Sequence, residues 1–256
     1  MSHESPKIEK IFTEEEIQNY IEQNSFNLPE DFKPHGENIG CIDDRADEIG
    51  SIEKIGIPGA GLGVLFTAFK AISVLEKKHE VQIVTNIEKI VSDVENITGK
   101  SFHTDEKNVN EHNPMSCAGC GHCAGILNSE NDLDPMFTSF VKNNYLPKLK
   151  EEGYQPVVYK GEHNANAVIV IDDLKTGIRS KGDDGQVYVY NKAWHMEILK
   201  DVAKVLFEDL QILVPNITIE EVYKTLEEVS QEQLGKTVAH LAAGLPQKVI
   251  SENVLA

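Results

Sequence analysis

Cysteine is scarce in this chain of 256 residues, and it is unevenly spread. There are four, Cys41, Cys117, Cys120 and Cys123, with none beyond residue 123 and three of them within seven residues. A secreted disulfide scaffold would be shorter and more evenly studded. Long hydrophobic runs are lacking too: no apolar stretch approaches the ~18 residues that a membrane span needs. The first residues, Met-Ser-His-Glu-Ser-Pro-Lys, have neither the basic start nor the apolar segment of a signal peptide. A cytoplasmic protein with reduced thiols is therefore expected, and a membrane partner is not. Basic charge is in short supply as well. The 24 Lys and Arg lie scattered among 42 Asp and Glu, for a formal net charge of −18. A phosphate-binding surface needs clustered cations, so nucleic acid is not an expected partner. Acidic excess of this kind serves solubility.

What is present is enough for a packed domain. Apolar residues make up 40% and charged ones 26%, which excludes a wholly disordered or collagen-like chain. A chain of this length lies between one and two domains at ~150 residues each. It can bury roughly three quarters of its unfolded surface without disulfides.

Residues 1–36 read as an N-terminal helical arm. Thr13 followed by Glu14, Glu15 and Glu16 makes a capping box, Ile17, Tyr20 and Ile21 form a helical stripe, and Pro29 and Pro34 lie in the loop that ends it. Asn38 to Asp43 reads as a buried strand. The glycine-rich stretch Gly56 to Gly63 then opens a helix over 62–77 with Leu62, Leu65, Phe66, Phe69, Ile72 and Leu75 on one side. Val84, Ile87, Ile90, Val91, Val94 and Ile97 predict a second helix over about 80–98, with Gly99 at its C-terminal cap. A strand is expected at 101–104, a polar loop at 105–116, a helix at 134–152 and a strand at 156–160. Ala167–Ile171, Ala-Val-Ile-Val-Ile, is a continuous apolar run, the mark of a strand buried on both faces. Residues 185–190 alternate and predict a half-exposed strand. Amphipathic helices follow at 195–210, 218–229 and 231–243, with Pro215 as a boundary. The mixture of strands and helices points to an α/β fold. The domain reading is an arm at 1–36, a metal-binding α/β domain at 37–214, and a C-terminal helical extension at 215–256 packed on that same domain.

Cys41-Ile42-Asp43-Asp44-Arg45 sets a thiol, a carboxylate and a guanidinium at i, i+2 and i+4, which on an extended chain share one face. A thiolate binds a borderline ion such as zinc. A carboxylate two residues on can hold a water on that ion, and an arginine can keep the carboxylate ionised by bidentate pairing. The plain alternative is a buried free cysteine before an acidic turn. His103 ends an expected strand fourteen residues before Cys117. Cys117-Ala118-Gly119-Cys120-Gly121-His122-Cys123 packs three thiols and an imidazole among residues small enough to bend round an ion. Two Cys and one His would make a three-ligand set with a fourth position open to water, as in catalytic zinc sites. Such an ion lowers the pKa of that water from 15.7 towards ~7. The stretch Gly59-Ala60-Gly61-Leu62-Gly63 is no dinucleotide fingerprint. Its third glycine would fall on Val64, and no nucleotide-type strand is expected to lead into it. Tight packing of the following helix is expected instead.

Cys-x-Asp-x-Arg, a glycine-rich turn into a helix, a later His and a Gly-Cys-Gly-His element together resemble the β-type carbonic anhydrases. The closer resemblance is to their ζ-type, cadmium-containing relatives, because His103 and Cys120 are far apart. Residues 161–170 and 187–190 are also similar to the ζ type, so the resemblance spans roughly 37–200. It implies a central mixed, largely parallel sheet flanked by helices. It also implies Zn2+ or Cd2+ held by Cys41, His103 and Cys120, with Asp43 and Arg45 as a catalytic dyad. The implied reaction is reversible hydration of CO2 to bicarbonate and a proton through a metal-bound hydroxide, with carbonyl sulfide as an alternative substrate. The expected partners are CO2 and bicarbonate, and a homo-oligomer is left open. Cys117 and Cys123 depart from the family pattern: either could replace Cys120, or both could bind a second ion. His112, His122 and His163 are proton-relay candidates, but the favoured reading of each is an ordinary exposed histidine.

Two other readings compete. Cys117-x2-Cys120-x2-Cys123 has the spacing of an iron–sulfur run without its Cys-Pro, and Cys41 could complete four thiolates in a non-catalytic metal or iron–sulfur protein. Alternatively, Cys41 is a nucleophile with His103 as its base, although two following aspartates are a poor setting for a free thiolate. Elemental analysis and an absorption spectrum separate the first from carbonic-anhydrase chemistry. The expected protein is colourless with about one zinc or cadmium per chain, whereas a brown protein with charge-transfer absorbance would be the cluster protein.

Overall fold

Thr13 caps the first helix, α1 (Glu14–Asn24), with the reciprocal box that its sequence foretells. The Thr13 hydroxyl accepts the Glu16 N–H at 3.2 Å, and the Glu16 carboxylate accepts the Thr13 N–H at 2.9 Å. This computed structural model describes residues 12–34, 39–42, 55–82, 87–98, 143, 167–178, 187–242 and 247–250. The strand expected at 101–104, the helix at 134–152, the strand at 156–160 and the cap at Gly99 lie outside them. Ile17 and Ile21 of α1 are buried with Ala167, Ile169, Ile171, Val187 and Val189. The chain then enters a short strand, β1 (Ser25–Asn27), before the loop that carries Pro29 and Pro34.

The parallel pair β2 (Ile39–Cys41) and β3 (Ile55–Ile57) aligns Ile39 with Ile55, Gly40 with Gly56 and Cys41 with Ile57. β2 lies within the strand expected at 38–43. β3 is a correction, since it leads directly into the glycine-rich turn where no strand is expected. Ile-Gly-Ile is short, and its central glycine lowers strand propensity. That glycine has a reason. A Cβ at Gly56 would lie 2.1 Å from the Val189 carbonyl oxygen, so only hydrogen fits there.

The turn opens α2 (Ala60–His79) through a left-handed Gly59, φ 73°. Leu65, Phe66, Phe69, Ile72 and Leu75 are buried as the stripe requires, but so are Val64, Thr67, Ala68 and Ala71. The helix is therefore wrapped around most of its girth rather than packed on one side. The Thr67 hydroxyl donates to the Gly63 carbonyl at 2.9 Å, which makes its burial tolerable. The second helix is shorter than the periodicity indicates. Glu80 is left-handed at φ 53° and closes α2, and α3 (Ile87–Thr98) starts after it. Lys77, Lys78 and His79 fill the last turn of α2, where cations suit the helix C-terminus. Ile90 and Val94 carry the buried face of α3.

β4 (Ala167–Ile171) is the central strand of a three-stranded parallel sheet in the order β6-β4-β7. β5 (Thr176–Ile178) pairs antiparallel with β1. β6 (Val187–Asn191) corrects the half-exposed expectation, because all five residues are buried. Val187 and Val189 join the α1 cluster, while Tyr188 and Tyr190, which alternate to the other face, are covered as well. β7 (Gln247–Ile250) has no counterpart in the sequence reading.

α4 (Lys192–Leu213) and α5 (Ile219–Ala242) are joined by a turn at Pro215. α5 is one helix where two are expected at 218–229 and 231–243. It packs on α2 and α4, and α3 packs on α2 and α4. Helices with small parallel and antiparallel sheets give the chain α/β character. No described helix is long and apolar enough to cross a membrane.

One ion-pair node ties the end of α2 to the start of α5. Glu221 accepts hydrogen bonds from Lys78 and from His79 Nε2, the latter at 3.0 Å, while its own N–H donates to the Thr218 hydroxyl. The Lys78 ammonium, and after it His79, hold the Glu221 carboxyl below its ordinary value against the opposing effect of burial. A carboxyl lowered in this way stabilises the fold above its unfolded pKa, and the contribution disappears as pH falls through the folded value. Glu221→Gln should cost about 0.5–1 kcal/mol near neutrality. The difference from the unaltered chain should be full near neutrality and shrink as the solution is acidified through the carboxylate range in urea titrations.

Candidate functional site

Cys41 is the last residue of β2, and its backbone is paired with Ile57 at the end of β3. Ile42, buried, follows in a bend. The strand alternation that would set Cys41, Asp43 and Arg45 on one face thus extends, among the described residues, no further than Cys41. Both strands run the same way, so the chain leaves both at one edge. In open parallel sheets that edge is where ligands bind, since the connecting loops converge there. On the β3 side the exit is the Pro58-Gly59 turn and the first turn of α2. The Gly63 N–H donates to the Gly59 carbonyl at 3.0 Å there, and Ala60, Gly61 and Gly63 are buried. The tight packing expected of this glycine-rich stretch is present.

A buried polar cluster lies at the end of β6 and was not legible as a site in the sequence. Tyr190 Oη is 3.2 Å from His195 Nδ1, and the rings meet edge to face at 5.9 Å. Burial, reinforced by the nearby Asp172 carboxylate, pushes the Tyr190 phenol well above its ordinary value, so it keeps its proton. It can therefore donate to His195 Nδ1 when the imidazole carries its proton on Nε2. Asn191, next in sequence, is fully buried. Its Oδ1 accepts the Gly56 N–H at 2.6 Å, and its Nδ2 has no partner among the described residues. The only sequence signal here is Asn191 just before an amphipathic helix, a good N-cap residue. In the structure its side chain makes no cap bond. Lys192 pairs with Asp172 at 3.3 Å across the exits of β6 and β4. Asp173 is buried and folds the β4–β5 connection by accepting the N–H groups of Lys175 and Thr176, each at 2.7 Å.

Asp43, Arg45, His103 and Cys120 lie outside the described residues, as do Cys117, Cys123 and the relay candidates His112, His122 and His163. Among the described residues no group of three or more His, Cys, Asp or Glu could hold a metal ion. Of the expected ligands, the described backbone therefore includes Cys41 alone, at an edge that suits a ligand set drawn from loops. Comparison with protein-family models, with curated proteins and with solved structures finds no match to this chain.

The close approach of β3 to β6 is open to a direct check. Gly56→Ala would drive a methyl group into the Val189 carbonyl, a backbone atom that cannot swing aside. A loss of about 3 kcal/mol is expected in urea unfolding. A loss below about 0.5 kcal/mol would mean that the two strands do not touch in this way.

Proposed function

We propose that the chain is a metal-dependent carbonic anhydrase, similar to the ζ and β types, that interconverts CO2 and water with bicarbonate and a proton. The observation that best supports this reading is the position of Cys41 at the carboxyl edge of a parallel strand pair in a chain of α/β character. The Asp43–Arg45 segment follows at once. In this proposal the sheet belongs to a β-carbonic-anhydrase-like arrangement. The thiolates of Cys41 and Cys120 and the imidazole of His103 hold one Zn2+ or Cd2+. Such an ion supplies the Lewis acidity that makes water nucleophilic near neutral pH.

The remaining work falls to the chain's own groups. Arg45 pairs with Asp43 and keeps the carboxylate ionised. Asp43 orients the attacking water and receives its proton. The water oxygen bonds to the carbon of CO2, one carbon–oxygen π pair moves onto oxygen, and bicarbonate leaves. The proton passes from Asp43 to buffer.

Asp43→Ala should leave the metal content at about one ion per chain while lowering the CO2 hydration rate by about 10²–10⁴-fold. Elemental analysis and stopped-flow hydration measure the two effects separately. An unchanged rate would remove Asp43 from the mechanism, and metal loss without any initial hydration activity would favour the non-catalytic metal protein.

A further inference from the structure

Asn191 serves two elements at once. It ends β6 and occupies the N-cap position of α4, yet its side chain does not cap the helix. Its Oδ1 instead accepts the N–H of Gly56 at 2.6 Å, across 135 residues of sequence. Gly56 is the middle residue of β3, aligned with Gly40, and the next pair in the ladder is Cys41 with Ile57. Among the described strands β3 has β2 as its only ladder partner, and the three-stranded sheet is a separate ladder. One side-chain oxygen thus stands where a strand-to-strand hydrogen bond would otherwise join them. The bond is short and fully buried, so water does not compete for it. The hydrogen side chain of Gly56 lets the strands come close enough for Asn191 to reach.

We infer that Asn191 is a positioning residue for the thiolate of Cys41: by anchoring β3 to the end of β6 it fixes where the neighbouring strand β2 ends. This rests on the metal-site reading above and extends it to a residue outside the ligand set. Metal–ligand distances tolerate only about ±0.2 Å, so a small slide of β2 is enough to spoil a shared coordination sphere. The role needs an acceptor of this length at residue 191. Aspartate supplies one, and it is a favoured N-cap residue whose charge suits the start of a helix. Serine would cap α4 equally well, but its side chain is one atom shorter and leaves Gly56 unbonded.

The test uses the full chain with Asn191→Ser, Asn191→Asp and, as a control, Leu226→Ala. Leu226 is a fully buried residue of α5, the helix that packs on α2 and α4. Zinc affinity is read by chelator competition, and deuterium exchange is followed at the amides of Gly40, Cys41 and Gly56. Asn191→Ser should weaken zinc binding about 10- to 100-fold and speed exchange at those amides. Asn191→Asp should stay within about threefold of the unaltered chain, and Leu226→Ala should lower Tm without changing zinc affinity. Undiminished affinity in Asn191→Ser, or an equal loss in Leu226→Ala, would overturn the assignment. Failure of the unaltered chain to take up zinc or cadmium would overturn the metal-site reading itself and the positioning role with it. Unchanged amide exchange in Asn191→Ser would overturn the positioning role alone.

Discussion

The meeting of Gly56 with the end of β6 is the constraint on which the rest of the architecture depends. Hydrophobic burial is non-directional. The side chains of Ile55, Ile57 and α2 could be buried with β2 and β3 slid along the sheet by a residue, but a hydrogen bond between one N–H and one carboxamide cannot. The carbonyl of Val189 closes the alternative in which a side chain occupies position 56. Two small ladders are thereby brought side by side, and the exits of β2, β3 and β6 gain a defined relation.

The two sides of the three-stranded sheet are finished differently. One face is apolar, with α1 laid across alternate residues of β4 and β6 through Ile17 and Ile21. The other carries the two tyrosines of β6, buried side chains with polar ends. Tyr190 meets its requirement through His195, so burial there is compatible with a hydroxyl. Polar groups gather where β6 passes into α4, while α2, α3, α4 and α5 share an apolar core. A rigid apolar scaffold with its polar chemistry at the carboxyl edge of parallel strands is a suitable support for loops that carry ligands.

Much of the scaffold was legible in the residues because the signals are local. The box at Thr13 and Glu16, the apolar run of β4 and the periodicity of α3 each report on their own backbone. The misreadings are equally physical. Alternation in β6 implied one wet face, but valine and tyrosine are both acceptable inside, so the pattern marked two chemically different dry faces. Ile-Gly-Ile looked like part of a turn because the reason for its glycine lies at Val189, far along the chain. Nothing in the apolar pattern from residue 80 announces a break, yet the left-handed Glu80 makes one. For the site, a strand carrying Cys41 was readable from its short apolar run, but it was expected to run on to Asp43, whereas it ends at Cys41. Asn191 was not, since nothing near it in sequence tells of a donor 135 residues upstream.

β7 lies against β4 and thereby sets an order of events in synthesis. The central strand emerges from the ribosome with β6 soon behind it, but its second edge stays uncovered until residues 247–250 have been made. α1, near the other end of the sequence, also contacts β7. Closure of the sheet is therefore a late, long-range step rather than one completed as the chain lengthens, and such pairing is intrinsically slow. Until then the second edge of β4 is left without its native partner, and an unpaired strand edge of this kind is a template for mispairing during that interval.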